Sequence, residues 1–383
     1  MASDDLVVGP GRYVQAPGVL ADLGRLVRPY GARGLLVIDG VVAARVGAAA
    51  VDACAGAGVS LVEARHDGLA TEADGVRLAE RARDAAADLI LAVGGGRVLD
   101  TAKVAALTAK RPLVTLATSS ATCAAASGLA VLYEADGRHR ESRRLPAPEL
   151  CVVDPAVIAQ APVRLLAAGM GDALAKQVEG RAAAHPEGTT LATRMALALC
   201  EEVADTVLSL GVEAARDVEA GRCTEAVEEV VRASILGAAV IGGLGGKRVR
   251  SAGGHALYYA VTHLLAEYPQ PDARPRVDGA PTPALHGELV GFGLLFQSCL
   301  LGHPSTEVAE LAGFLARIRL PIDLDALGLG RLDAAGRRRL AALILRPGSS
   351  IANLPVRPGE AEVLAALEAA DAAGRTATRE LAR

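Results

Sequence analysis

The stretch Asp88-Leu-Ile-Leu-Ala-Val-Gly-Gly-Gly-Arg-Val-Leu-Asp-Thr-Ala-Lys103 changes character at its three glycines. Asp88 to Val93 is a short apolar run that reads as a strand, and the residues after the glycines have helical spacing. In a strand–glycine turn–helix unit the backbone can approach a phosphate closely, and the first helical amides point at the anion with the help of the helix dipole. The glycines do not follow the GxGxxG order, and a plain tight turn is the competing reading. Asp100, Thr101 and Lys103 place polar groups at the start of the helix.

The flanking segments fit the same unit. Gly34 to Asp39, Val59 to Ala64 and Pro112 to Thr118 are further short apolar runs, and Ala-rich stretches such as Gly75 to Ala87 separate the earlier ones. Strands alternating with helices predict a mostly parallel sheet with right-handed crossovers. Leu129 to Tyr133, followed by Glu134-Ala-Asp-Gly137 and a second run from Arg138, predicts a β-hairpin around a DG turn. Asp39 closes its strand. A carboxylate there can accept hydrogen bonds from ribose hydroxyls and repel a 2′-phosphate, or it can simply start the turn before Gly40.

Beyond Asp154-Pro155 the chain consists of long Ala/Leu segments with helical spacing. The expectation is an α/β dinucleotide-binding domain over 1–157 and an all-helical domain over 158–383. Tyr268 to Leu285, rich in Pro, Asp, Arg and Gly, reads as a long loop.

The helical half holds the candidate metal ligands. Asp172 lies in the apolar stretch Gly169-Met-Gly-Asp-Ala-Leu-Ala-Lys176, where a carboxylate has to be paired, capped or metal-bound because an isolated buried charge is costly. An N-cap after Gly171 is the alternative. His255 and His263 share roughly one side of an apolar helix, and His286 follows the Pro-rich loop at or near a helix start. One Asp and two of these histidines would leave a coordination position open, as catalytic zinc sites do; spacing does not choose between His255 and His263. His66, His139, His185 and His303 lie in polar or turn contexts and read as surface residues.

Charge and composition narrow the function. The formal net charge of −4 with interspersed signs argues against nucleic acid as a partner. No run reaches the ~18 apolar residues of a membrane span. The acidic opening MASDDLVVGPGRY lacks a signal-peptide pattern, so the cytoplasm is the expected compartment. The six cysteines form no CxxC pair and read as reduced, mostly buried residues.

Taken together, these segments resemble the glycerol dehydrogenase branch of the iron-containing alcohol dehydrogenase superfamily, with its dehydroquinate synthase-like fold. The resemblance is carried by Gly9 to Gln15, Gly94 to Lys103, Ala117 to Ser127, Val153-Asp-Pro155, Gly169 to Ala173 and His286 to Gly293. It implies a cleft between two domains, and metal ligands at Asp172, His255 and His286 rather than His263. The metal implied is zinc, with iron as the alternative. It also implies NAD contacts from Asp39, Gly94, Gly95, Gly96, Arg97, Asp100, Thr115 and Thr118. The chemistry implied is hydride exchange between NAD(H) and a small-molecule alcohol or ketone, in a chain expected to form a homo-oligomer.

Two departures bear on the substrate. Ser120 stands where these enzymes carry an Asp close to the polyol, and Lys247-Arg248-Val249-Arg250 replaces small and aromatic residues before the first metal histidine. Ser120, Lys247, Arg248 and Arg250 are therefore the candidate substrate residues, and the basic ones suit an anionic group. A glycerol-1-phosphate-type sugar-phosphate dehydrogenase is one alternative. A dehydroquinate-synthase-like cyclase is another, although its SVGGK-type and GHTxGH-type stretches are missing. A non-catalytic nucleotide sensor is a third.

Overall fold

The computed structural model describes residues 6–184, 190–246, 249, 251–267 and 284–383. Six strands form one parallel sheet: β1 (Arg12–Gln15), β2 (Arg33–Ile38), β3 (Ser60–Arg65), β4 (Leu89–Gly94), β5 (Leu113–Ala117) and β8 (Leu150–Val153). Their order is β1-β8-β5-β4-β2-β3. The chain passes from β3 back across β2 to reach β4, so the order reverses between β2 and β4. In open parallel sheets, ligands bind at the carboxyl ends of the strands beside such a reversal. Here those ends are Ile38-Asp39 and Gly94.

The four apolar runs and the hairpin predicted from sequence are present. β6 (Leu129–Tyr133) pairs antiparallel with β7 (His139–Arg144), and Gly137 takes a φ of +92° in the DG turn. β1 and β8 are additional strands that carry no clear pattern of their own; β8 joins the sheet between β5 and β1.

Both faces of the sheet are covered, as the continuous apolar strands require. Leu36, Ile38, Leu91 and Val93 pack with Leu23 and Leu26 of α1 (Leu23–Val27) and Cys54 of α2 (Ala48–Gly56). Leu35, Val37, Ile90 and Ala92 face Leu78 and Ala82 of α3 (Glu72–Asp84) and Leu99, Ala102 and Ala105 of α4 (Gly96–Ala109). The Thr71 hydroxyl caps α3 by accepting the Asp74 N–H.

After α5 (Pro155–Ala159) every described element is helical. Those that shape the site are α6 (Val163–Ala183), α7 (Leu191–Glu219), α8 (Glu225–Arg232), α9 (Ala238–Gly245), α10 (Gly253–Glu267) and α11 (His286–Leu300). Glycines let three of them come into backbone contact. A Cβ on Gly287 of α11 would lie 1.8 Å from the Ala168 carbonyl oxygen of α6, and one on Gly293 would lie 2.5 Å from the Gly254 Cα of α10. None of the described helices is long and apolar enough to cross a membrane. The predicted loop from Tyr268 falls almost wholly outside the described residues.

Candidate metal centre and cofactor cleft

A cleft of about 870 Å³ lies over the carboxyl ends of β2, β4 and β5 and is closed on the other side by α6, α9, α10 and α11. Its sheet-side wall includes Asp39, Gly95, Gly96, Arg97, Thr118, Ser119 and Thr122; its helical wall includes Asp172, Lys176, His255, Tyr258, Tyr259 and His286.

Asp172 sits in mid-helix on α6, which removes the N-cap alternative. It is 4% exposed. Its Oδ1 lies 3.8 Å from Nε2 of His255 and 3.8 Å from Nε2 of His286, and one donor atom from each of the three residues falls within 4.8 Å of the others. His263 is not part of this group: its Nε2 is 3.1 Å from the His139 carbonyl oxygen and 2.5 Å from Arg346 Nη1.

One carboxylate orients an imidazole, and a second ties the helices of the site together. Glu179, one helical turn beyond Lys176 on α6, is fully buried. Its Oε1 accepts the N–H groups of Ala252 (2.6 Å) and His255 (3.0 Å) at the start of α10, and its Oε2 pairs with Nδ1 of His255. That contact leaves Nε2 of His255 directed at Asp172, as a second carboxylate behind a metal-ligating histidine does. Glu288, two residues after His286, accepts the Leu285 N–H at 2.7 Å and is clamped by the Arg164 guanidinium at the start of α6. The chain thus ties the helix bearing His286 to the one bearing Asp172.

The electrostatics favour an ionised centre. Burial would raise the Asp172 carboxyl, but Lys176, with Nζ at 2.8 Å, and a hydrogen bond from His286 hold it well below the usual carboxylate range. Burial would raise Glu179 as well, and His255 with the two backbone N–H groups draws it down. Burial lowers His286 and keeps its ring neutral, the form in which imidazole donates a lone pair. Three donors of this kind, with the cleft beside them, fit a divalent ion with an open coordination position.

The sheet-side residues divide. Gly95 is the N-cap of α4 with no side chain bonded to the first amides, so these open to the cleft as an anion site requires. Asp39 lines the cleft, and its Oδ1 accepts the Val42 N–H at 2.8 Å, so it also serves the turn. Arg97 is held by the carbonyls of Asp67 (2.9 Å) and Gly68 (3.2 Å). Thr118 reaches the cleft, whereas Thr115 is fully buried and donates to the Ala125 carbonyl at 2.7 Å. Asp100 edges the cleft, but its oxygens accept from Lys103 Nζ (2.9 Å) and the Val131 N–H (3.0 Å).

Several expectations are corrected. Ser120 does not line the cleft: it is fully buried, and its Oγ has no hydrogen-bond partner. His66 is 3% exposed and lies 2.9 Å from Thr101 Oγ1, and His139 stacks on Tyr259 with ring centroids 3.8 Å apart, so neither is a surface residue. Lys247, Arg248, Arg250 and His185 lie outside the described residues. Sequence reading gave no role to Lys176, Glu179 or the tyrosines. The i, i+4, i+7 spacing of Asp172, Lys176 and Glu179 on one helix face was the available signal.

A glycine turn at a parallel-sheet crevice, facing one carboxylate and two imidazoles across the same cleft, is an arrangement suited to a metal-dependent dehydrogenase. Residues 10–155 match the iron-containing alcohol dehydrogenase family. The chain is 32% identical over 377 residues to the glycerol dehydrogenase of Pseudomonas putida, covering 97% of this chain and 98% of the relative. It is 32% identical over 365 residues to hydroxycarboxylate dehydrogenase A of Escherichia coli K12, covering 92% and 93%. The crystal structure of glycerol dehydrogenase from Schizosaccharomyces pombe superposes with a TM-score of 0.85 at 27% identity, covering 100% and 94%. The chain belongs to the iron-containing alcohol dehydrogenase family, in its glycerol dehydrogenase branch, and is a metal-containing, NAD-linked oxidoreductase.

Proposed function

We propose that this enzyme exchanges a hydride between NAD(H) and a small secondary alcohol or polyol, or the corresponding ketone, at a divalent ion held by Asp172, His255 and His286. The observation that carries the reading is the convergence of these three donors in the same cleft as the Gly94–Gly96 turn. The ion, zinc in our reading and iron in the alternative, supplies Lewis acidity that favours the deprotonated form of the substrate hydroxyl. In oxidation, the carbinol C–H bond breaks and its hydrogen leaves with the bonding pair for nicotinamide C4. The hydroxyl proton is released, so an alcohol and NAD⁺ give a carbonyl compound, NADH and one proton.

The chain's own residues prepare this step. The open amides at the start of α4 would receive the pyrophosphate, Asp39 would meet the ribose hydroxyls and disfavour a 2′-phosphate, and Thr118 lines the same cleft. Glu179 orients His255, and Glu288 with Arg164 ties the start of the helix that carries His286 to α6. Tyr258 packs edge-on against His286 with ring centroids 4.3 Å apart and keeps water from that side. Asp100 and Thr115 act inside the α/β domain. We set the domain boundary at 157/158 and assign the enzyme to the cytoplasm as a homo-oligomer.

A second reading, an alcohol that carries a carboxylate, is supported by Lys176, a buried cation lining the cleft. The relative named hydroxycarboxylate dehydrogenase A is in keeping with it. The test of the main reading is an assay of the purified protein for NAD⁺ reduction with small diols and 2-hydroxy acids, together with elemental analysis. One divalent ion per chain, activity lost on chelation and restored by zinc, and a preference for NAD⁺ over NADP⁺ are expected. NAD⁺ binding without reduction by any alcohol, at full metal occupancy, overturns it.

A further inference from the structure

We infer that Lys176 receives a carboxylate of the substrate, and that the enzyme works on 2-hydroxy acids and 2-oxo acids in preference to uncharged diols. The inference rests on the reading of the cleft as the place of hydride transfer.

Lys176 lies one turn beyond Asp172 on α6, is 4% exposed, and lines the cleft. An ammonium group has three donors. One is spent on Asp172 Oδ1 at 2.8 Å, and Nζ has no other acceptor among the described residues. Leaving buried donors without acceptors is costly, and most of all for a charged group. The same fold satisfies such a group elsewhere: Lys103, equally buried, reaches Asp100 Oδ1 (2.9 Å), Ser127 Oγ (3.4 Å) and the Leu129 carbonyl (2.6 Å). The spare donors of Lys176 therefore point to an acceptor that enters with the ligand.

Position and charge both select a carboxylate. Asp172 Oδ1, which Lys176 touches, lies 3.8 Å from Nε2 of each ligand histidine. The group that Lys176 holds must then sit beside the reacting hydroxyl, on the adjacent carbon, as the carboxylate of a 2-hydroxy acid does. With a divalent ion in place, Lys176 leaves one positive charge in excess over the buried carboxylates Asp172 and Glu179. The other carboxylates lining the cleft are Asp39, beside the glycine turn, and Asp100, already paired with Lys103. Before the reacting hydroxyl ionises, a substrate carboxylate cancels the excess and can take both remaining donors, whereas the second hydroxyl of a diol brings no charge. Lys176 is in this account a specificity-determining residue.

The test pairs two substrates of one carbon skeleton, 2-hydroxypropanoate and propane-1,2-diol, on the metal-loaded enzyme and its Lys176→Met and Lys176→Arg variants. Metal content is measured by elemental analysis, and binding of oxamate or uncharged oxamide to the NADH-loaded enzyme is followed by NADH fluorescence. The unmodified enzyme should favour the hydroxy acid at least about tenfold in kcat/KM. Lys176→Met should lower that ratio, and the affinity for oxamate, on the order of tenfold to a hundredfold or more with the metal retained, consistent with loss of the charge-assisted contact. Lys176→Arg should recover part of the ratio. A ratio unchanged in a metal-loaded Lys176→Met, or equal losses on both substrates, overturns the proposal. So does equal binding of oxamate and oxamide to the unmodified enzyme, which needs no variant to fold. Failure of the unmodified, metal-loaded enzyme to oxidise any diol or hydroxy acid overturns the hydride-transfer reading instead, and oxamate binding then stands as a separate result.

Discussion

Asp100 with Lys103 and Asp172 with Lys176 are the same chemical pair, set three and four residues apart on two helices, each almost out of contact with water. What surrounds them differs. The first pair meets the hairpin: Leu129 and Ser127 complete the shell of Lys103, and the Val131 N–H takes the second oxygen of Asp100. The second pair meets two imidazoles and a cleft. A buried ion pair closed by protein groups holds elements together. One left open on one side keeps the field of its charges available to a ligand, in a medium where that field is only weakly screened. One pair is closed by protein groups and the other is open to the cleft, although burial and pairing are the same in both.

The largest expected effect comes from removing the acid of each pair. Asp172→Ala should lose the metal and lower NAD-linked turnover on the order of a thousandfold or more, since the Lewis acid goes with it. Asp100→Ala should retain the metal. Its loss should appear in unfolding, about 3–5 kcal/mol in a urea titration, because Lys103 is left buried without its counter-charge. Metal retained at full occupancy in Asp172→Ala would undo the assignment of the centre.

Removing the base of each pair sharpens the contrast. Lys103→Met should cost about 3–5 kcal/mol of stability whether or not metal is present, because Asp100 is stranded in both states. Lys176→Met should cost less in the metal-loaded enzyme, where the ion compensates Asp172, and more after chelation. Equal losses for the two lysines under both conditions would show that the two environments are energetically alike.

How far the sequence reveals this can be read from the same residues. The strand, glycine turn and helix around Gly94 to Gly96 were legible because local periodicity and turn chemistry agree there. Asp172 and His286 were legible as polar residues in apolar surroundings. The two buried lysines were not separable, since Asp-Thr-Ala-Lys and Asp-Ala-Leu-Ala-Lys give no hint of what a hairpin or another helix will bring against them. Edge strand β1 and its neighbour β8 were missed because four-residue strands carry too few alternations to show a period. His66 reads as a surface residue from its neighbours in sequence because its burial comes from α4, which is remote in sequence, through Thr101. The resemblance places Ser120 at the substrate, whereas the approach of α6 buries it: a Cβ on Gly169 would lie 1.9 Å from its carbonyl oxygen.

Glu179 gives a smaller effect that tests the open pair from behind. Glu179→Gln keeps the shape but removes the charge that orients His255 and adds an amide N–H. Metal affinity should fall about tenfold to a hundredfold, as for other outer carboxylates of histidine ligands. Competition with a chelator of known affinity measures it, and an unchanged affinity would mean that helix packing alone fixes the ring.

The smallest effect concerns the joint between the two regions, where β7 of the hairpin lies against α10. His139 stacks on Tyr259, and its Nε2 is 3.2 Å from Ser142 Oγ. Burial, reinforced by Arg346 and by His263, His286 and His255, pushes its pKa down to about 3. In the unfolded chain a histidine takes up its proton near pH 6.5. Between those values the unfolded state therefore binds a proton that the folded state refuses, and stability falls as pH drops from about 6.5 toward 3; above 6.5 this residue contributes no pH dependence. The limiting slope for one proton is about 1.4 kcal/mol per pH unit, and His139 keeps some contact with water, so a fraction of that is expected. His66 and His286 are shifted in the same direction and carboxylates titrate at lower pH, so the unmodified protein alone does not isolate His139. The difference between the unmodified enzyme and His139→Phe does, because phenylalanine keeps the stack on Tyr259 without a titrating group. Urea midpoints of the two proteins should run parallel above pH 7 and converge or cross as pH falls from 6.5 to 5, the unmodified protein losing more. Parallel curves throughout would mean that His139 protonates in the folded enzyme without penalty, and that the joint between the hairpin and α10 is open to water.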